Sequence, residues 1–176
     1  MKKIYLGFLF LISVSSFGQG LPGLGAGTTP NNRPTLHGKN WVAITGKPLA
    51  ANAGAQIFYQ GGNAVDAACA MIAATSTMWD VLSWGGETQA LIYHPVEKRV
   101  IAINALGYAP TGATVDFFKS QGMVYPPEYG PLAATTPGTP GGIMTMLAEY
   151  GTLSLEQILK PAMDLAKGYP MEAQTS

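Results

Sequence analysis

"QGGNAVDAACAMIAATSTM", residues 60–78, opens on two glycines and an asparagine and then runs almost without side-chain bulk. Gly61 ends a preceding helix, Gly62 lets the chain turn, and Asn63 stands where a new helix needs its N-cap. Asp66, three residues further on, completes the spacing of a capping box and sets a carboxylate near the positive end of the helix dipole. On this reading Asp66 stabilises a helix start and touches no substrate, and exchanging it for asparagine costs about 1 kcal/mol or less. The alanines that follow leave room for a sheet on one side and another helix on the other, which places this helix in the interior. Cys69 is then a small, unreactive core residue.

Working outward, "WVAIT" at 41–45 has the β-branched and aromatic residues of a strand. Pro48 suits a first helical turn, and "LAANAGAQIFYQ" carries that helix to Gly61. Downstream of Met78, "WDVLSWGGETQALIYHP" passes a glycine pair, Gly85 and Gly86, and alternates through Ala90 and Ile92 to a turn at Tyr93. "EKR" at 97–99 makes the polar end of a hairpin and "VIAIN" returns as its second strand. "ATVDFFKSQG" reads as a short amphipathic helix ending at Gly122. "TPGTPGGIMTMLAEYG" opens another, with Thr139 as N-cap, Pro140 at the first helical position and Gly151 as terminator. Ser154 and Gln157 repeat the capping-box spacing for a last helix, which Pro161 must kink or restart before Gly168 closes it. Helices mixed with a paired hairpin favour an α+β layered architecture over a doubly wound one.

The 176 residues are enough for one domain with a core, and 47% are hydrophobic. Ten basic residues balance ten acidic ones, so there is no electrostatic footprint for nucleic acid or an anionic membrane. Residues 1–18 have the basic start, apolar stretch and small-residue end of a secretory leader cleaved before Gln19, too short to span a bilayer. The expected protein is therefore exported, to the periplasm or the exterior, with no membrane association after cleavage. Residues 19–40, rich in Gly, Pro, Thr and Asn, read as a flexible arm, and 41–176 as the folded part. Cys69 is the only cysteine, so stability rests on packing. His37 and His94 lack ligand-spaced partners and read as solvated, with no metal site and no cofactor.

Four ordered segments, from about Arg33 to Met171, resemble the γ-glutamyltransferase family. They are "RPTLHGKNWVAITGKPLAANAGAQIFYQGGNAVDAACA", "SWGGETQALIYHP", "NALGYAPTGAT" and "TPGTPGGIMTMLAEYGTLSLEQILKPAMDLAKGYPM". The first contains the signature residues Gly61, Gly62, Asn63 and Asp66. The resemblance implies the N-terminal portion of an N-terminal-nucleophile (Ntn) hydrolase αββα sandwich, incomplete in this chain. It also implies a precursor that cuts itself into a large and a small subunit. The new N-terminal threonine of the small subunit then attacks a γ-glutamyl amide such as glutathione, and the acyl group passes to water or an amino acid. Neither Thr28-Thr29 nor Thr135-Thr136, each followed by proline, matches the context of that threonine. No catalytic residue is therefore expected in this chain, which needs a small subunit as partner and takes a small-molecule amide or peptide as substrate.

The loop before Ala109-Pro110 is where the resemblance places substrate, making Asn104, Leu106, Gly107 and Tyr108 the substrate-proximal candidates. Typical members carry an Arg-Glu pair at the positions of Leu106 and Gly107, the arginine gripping the α-carboxylate of the donor. Losing such a contact costs on the order of 2 to 5 kcal/mol if nothing replaces it. The departure admits an amidohydrolase of the same fold with a less anionic acyl donor, or an inactive relative that binds. Tyr108 has a hydroxyl to offer a ligand, although a loop tyrosine more often packs.

Overall fold

The computed structural model describes residues 35–78 and 84–171, and the unit considered below begins at His37. The expected leader, most of the expected arm, and residues 79–83 lie outside the described residues. Five α-helices and one hairpin follow in order: α1 (Pro48–Tyr59), α2 (Ala64–Thr75), β1 (Thr88–His94), β2 (Arg99–Ala105), α3 (Val115–Ser120), α4 (Thr139–Tyr150) and α5 (Leu155–Ala166).

The glycine pair acts as the sequence suggests. Gly61 has φ +86°; its amide reaches the Phe58 carbonyl at 3.0 Å and that of Gly62 reaches Ile57, also at 3.0 Å. These two bonds close α1 in a Schellman motif. A Cβ at Gly62 would lie 2.6 Å from Cγ2 of Ile57, so the second glycine serves packing. Asn63 Oδ1 then accepts the amides of Val65 (2.8 Å) and Asp66 (3.0 Å), and the Asn63 amide donates to Asp66 Oδ2 (2.9 Å), which completes the capping box.

Asp66 does more than cap. It is fully buried, and its two oxygens also accept the Thr152 amide at 3.0 and 3.2 Å, the Thr152 hydroxyl at 2.5 Å and, at the edge of contact, the Leu153 amide at 3.5 Å. Asn63 Nδ2 donates to the Tyr150 carbonyl at 2.6 Å. The start of α2 is thereby bolted to the turn between α4 and α5, and the 1 kcal/mol expected for a simple cap understates the acid's role.

α2 is the central element. Ala67, Cys69 and Ala70 pack with Ile57 of α1, Ile143 and Met146 of α4 and Ile158 of α5, with Ala90, Ile92 and Ile103 of the hairpin against the same cluster. Further along, Ala73 and Ala74 meet Ala50, Ala53 and Ala162. Small side chains permit this approach: a Cβ on Gly54 of α1 would lie 2.8 Å from Met71. The hairpin pairs Thr88 with Ala105 and His94 with Arg99 in antiparallel register. Alternation turns Ile92 and Ile103 to the helices and leaves Leu91 (78% exposed), Tyr93 (63%) and Val100 (60%) on the opposite face.

Several expectations need correction. Residues 41–45 form no strand. Their side chains alternate, but no neighbouring strand pairs with them among the described residues, and Trp41 instead stacks on Phe58 with ring centroids 4.8 Å apart. Tyr93, expected at the turn, is still in β1, and Arg99 opens β2. α5 has its capping box from Ser154 and Gln157, and it runs through Pro161 as one helix without restarting. Gly138, not Thr139, caps α4; the Thr139 hydroxyl is engaged elsewhere, 2.9 Å from that of Thr88.

Candidate functional site

The end of β2, the loop that follows it and the first turns of α4 enclose a groove of about 520 Å³. Asn104, Leu106, Gly107 and Tyr108, the four candidates from sequence, all line it, facing Gly138, Gly141, Gly142 and Thr145 across the gap. Asn104 Oδ1 accepts the Leu106 amide at 3.3 Å, which curls the chain as it leaves the strand. The Tyr108 carbonyl accepts the Thr136 amide at 2.8 Å, forming an isolated antiparallel bridge that ties the loop to the segment before α4. Tyr108 is 84% exposed, so it is not packed against the described residues.

Close contacts require glycine at Gly107 and, on the wall opposite, at Gly138 and Gly142, whereas Gly141 faces open space. Gly107 has φ +87°, and a Cβ there would lie 2.0 Å from the Thr136 carbonyl oxygen. A Cβ on Gly138 would lie 2.1 Å from the Ala105 carbonyl oxygen and 2.4 Å from the Gly107 nitrogen, and one on Gly142 would lie 2.6 Å from Cβ of Ala105. At Gly107 and Gly138 two backbones touch directly, and at Gly142 the small Ala105 methyl fills the gap. Sequence reasoning missed Gly138, Gly141, Gly142 and Thr145; the signal was present in "GTPGG", glycines on both sides of a helix start, which marks close backbone approach.

Among the described residues, no Asp, Glu, Lys, Arg or His side chain lines this groove. Its polar lining residues are Asn104, Tyr108, Thr136 and Thr145, beside the backbone of the loop and of the glycines. Such a surface holds a ligand through neutral hydrogen bonds and apolar contact rather than through ion pairs.

The signature residues lie elsewhere. Asn63 borders a second groove of about 690 Å³ between α2, β1 and the end of α4, lined by Val65, Ile72, Ile92 and Met146 among others. Both polar ends of Asn63 are already engaged, as is the Asp66 carboxylate, so Gly61 to Asp66 hold the scaffold. Cys69 is buried, and loss of solvation, reinforced by the nearby Asp66 carboxylate, pushes its thiol up to about 12. A thiol held protonated in this way is no nucleophile. His94 accepts the Glu97 amide at 3.2 Å through Nδ1. No group of three or more His, Cys, Asp or Glu among the described residues is arranged to hold a metal, and no described helix is long and apolar enough to cross a membrane.

Residues 50–176 match the gamma-glutamyltranspeptidase family. The chain is 34% identical over 142 residues to the glutathione hydrolase proenzyme of Bacillus subtilis (strain 168), a match covering 77% of this chain and 24% of that relative. The fold superposes on the crystal structure of Helicobacter pylori gamma-glutamyltranspeptidase with a TM-score of 0.70 at 37% identity, over 77% of this chain and 40% of that one. It also superposes on the crystal structure of cephalosporin acylase from Bacillus halodurans with a TM-score of 0.66 at 32% identity, over 84% and 29% of the two chains. The chain thus spans about a quarter of the length of its curated relative.

Proposed function

Because the chain belongs to the gamma-glutamyltranspeptidase family, we propose that it forms one wall of the acyl-donor site of an exported, amide-cleaving Ntn hydrolase. Its described architecture is the N-terminal portion of that sandwich, with helices on one face of the hairpin and an apolar second face. In this proposal the nucleophilic threonine and the donors for its oxyanion come from a small subunit outside this chain. The donor is a γ-glutamyl amide such as glutathione, and the acyl group passes to water or an amino acid. The observation that carries the reading is the convergence of Asn104, Leu106, Gly107 and Tyr108 on one groove. Export rests on the leader pattern of residues 1–18, and a mature N-terminus other than Gln19 would refute that cleavage site.

A second reading is favoured by the groove's chemistry: an acyl donor without charge at the end that meets Leu106. The first position of the family's Arg-Glu pair is leucine here, and the second is a glycine whose Cβ the Thr136 carbonyl excludes. The match to a cephalosporin acylase points the same way.

Initial rates of the full-length protein on a γ-glutamyl anilide and on an anilide of an uncharged acyl group separate the two. The first reading expects the γ-glutamyl compound to be cleaved faster. The second expects the reverse, with Leu106→Arg shifting the preference toward the γ-glutamyl donor by about tenfold or more through a new charge-assisted pair. Release from neither compound would sink the proposal.

A further inference from the structure

The start of α4 is fastened to the hairpin from below the groove. The Gly86 carbonyl accepts the amides of Gly138 at 3.0 Å and Thr139 at 3.1 Å. Beside it, the hydroxyls of Thr88, the first residue of β1, and Thr139, the first of α4, meet at 2.9 Å. Both residues are buried, at 8% and 2% exposure. Neither lines the groove, but Gly138, Gly141 and Gly142, in the same turns as Thr139, do.

We propose that Thr88 and Thr139 are positioning residues of the groove: their hydroxyl pair sets the spacing between β1 and the first turn of α4, and so the placement of the Leu106–Tyr108 loop. This rests on reading the groove as the acyl-donor site. Two hydroxyl oxygens sit at 2.9 Å because one donates its proton to the other. Two methyl groups in their place need about 3.5 to 4.0 Å, so a pair of valines drives α4 away from β1 by up to about 1 Å. The seam beyond has little to absorb such a movement, since its one intervening side chain is the Ala105 methyl against Gly142. Gly138 abuts the Ala105 carbonyl and the Gly107 nitrogen directly, and Thr136, two residues before it, holds the Tyr108 carbonyl. A shift at Thr139 therefore reaches the loop through backbone contacts.

The test uses the full-length protein carrying Thr139→Ser, Thr88→Val, Thr139→Val and the double valine variant. Replacing both buried partners by apolar groups leaves no orphaned hydroxyl, so the double variant should keep a cooperative melt and lose only what the forced separation costs. Its KM for the acyl donor should rise about tenfold with kcat changed less than about twofold, the pattern of binding lost equally from ground and transition states. Thr139→Ser, which keeps the hydroxyl, should retain the wild-type KM. Amide hydrogen exchange at Thr136, whose N–H is held by the Tyr108 carbonyl, should quicken in the double variant, a readout that requires no turnover. A double variant with wild-type KM and wild-type exchange overturns the proposal, as does a KM that rises only in step with a falling melting temperature. If the wild-type protein cleaves no donor, the functional reading fails on its own, and the exchange comparison alone decides for or against the positioning role.

Discussion

Asp66→Asn is expected to destabilise the full-length protein by about 2 to 4 kcal/mol, well beyond the loss of a helix cap. The carboxylate is fully buried and faces donors on both oxygens: the Asn63 amide and Thr152 hydroxyl on Oδ2, the Leu153 amide on Oδ1, and the Thr152 amide shared between them. Asparagine has one acceptor oxygen and an NH2 group, so in either orientation it turns a donor toward donors. Buried donors left unpaired cost about 1 to 3 kcal/mol each. Chemical denaturation of wild type and variant measures the loss. Thr152→Ala, which removes only the hydroxyl, should fall between them, and a change below about 1 kcal/mol for Asp66→Asn would return the acid to the status of a simple cap.

Gly107→Ala should cost about 3 kcal/mol or more, against about 1 kcal/mol for Gly61→Ala. The two glycines share nearly the same φ, +87° and +86°, so both sit where an L-residue is penalised. They differ in their surroundings. The added carbon at Gly107 would lie 2.0 Å from the Thr136 carbonyl oxygen, whereas nothing lies within 4 Å at Gly61. Relief requires the loop to part from Thr136, breaking the bond to the Tyr108 carbonyl and opening the groove. Equal losses at the two positions, measured by the same denaturation curves, would contradict the seam.

What could be read in advance was local. The capping boxes of Asn63 with Asp66 and of Ser154 with Gln157 rest on partners three residues apart. The hairpin declared itself through an alternation of period two and a polar turn. What escaped depended on partners remote in the chain. Asp66 meets Thr152, 86 positions away, and Thr88 meets Thr139, 51 positions away; nothing in either local stretch announces the other. Residues 41–45 have the composition of a strand, but a strand is defined by its neighbour, and Trp41 found an aromatic ring instead. Thr139 looked like an N-cap because threonine before proline usually is one, yet the hydroxyl of Thr88 claimed it. At the groove, the loop of Asn104 to Tyr108 was a candidate through resemblance, while "GTPGG" carried a signal of close approach whose partners, the Ala105 carbonyl and methyl, lie more than thirty positions away.

The central claim, that this groove is where an acyl donor lies, is tested most directly by covalent mapping on the full-length protein. An amide donor with a photoreactive group in its acyl portion is bound, irradiated and located by peptide mass spectrometry. The predicted result is cross-linking within residues 104–108 and 136–145, suppressed by excess unlabelled donor. Cross-links that the unlabelled donor suppresses but that fall wholly outside those two segments would contradict it.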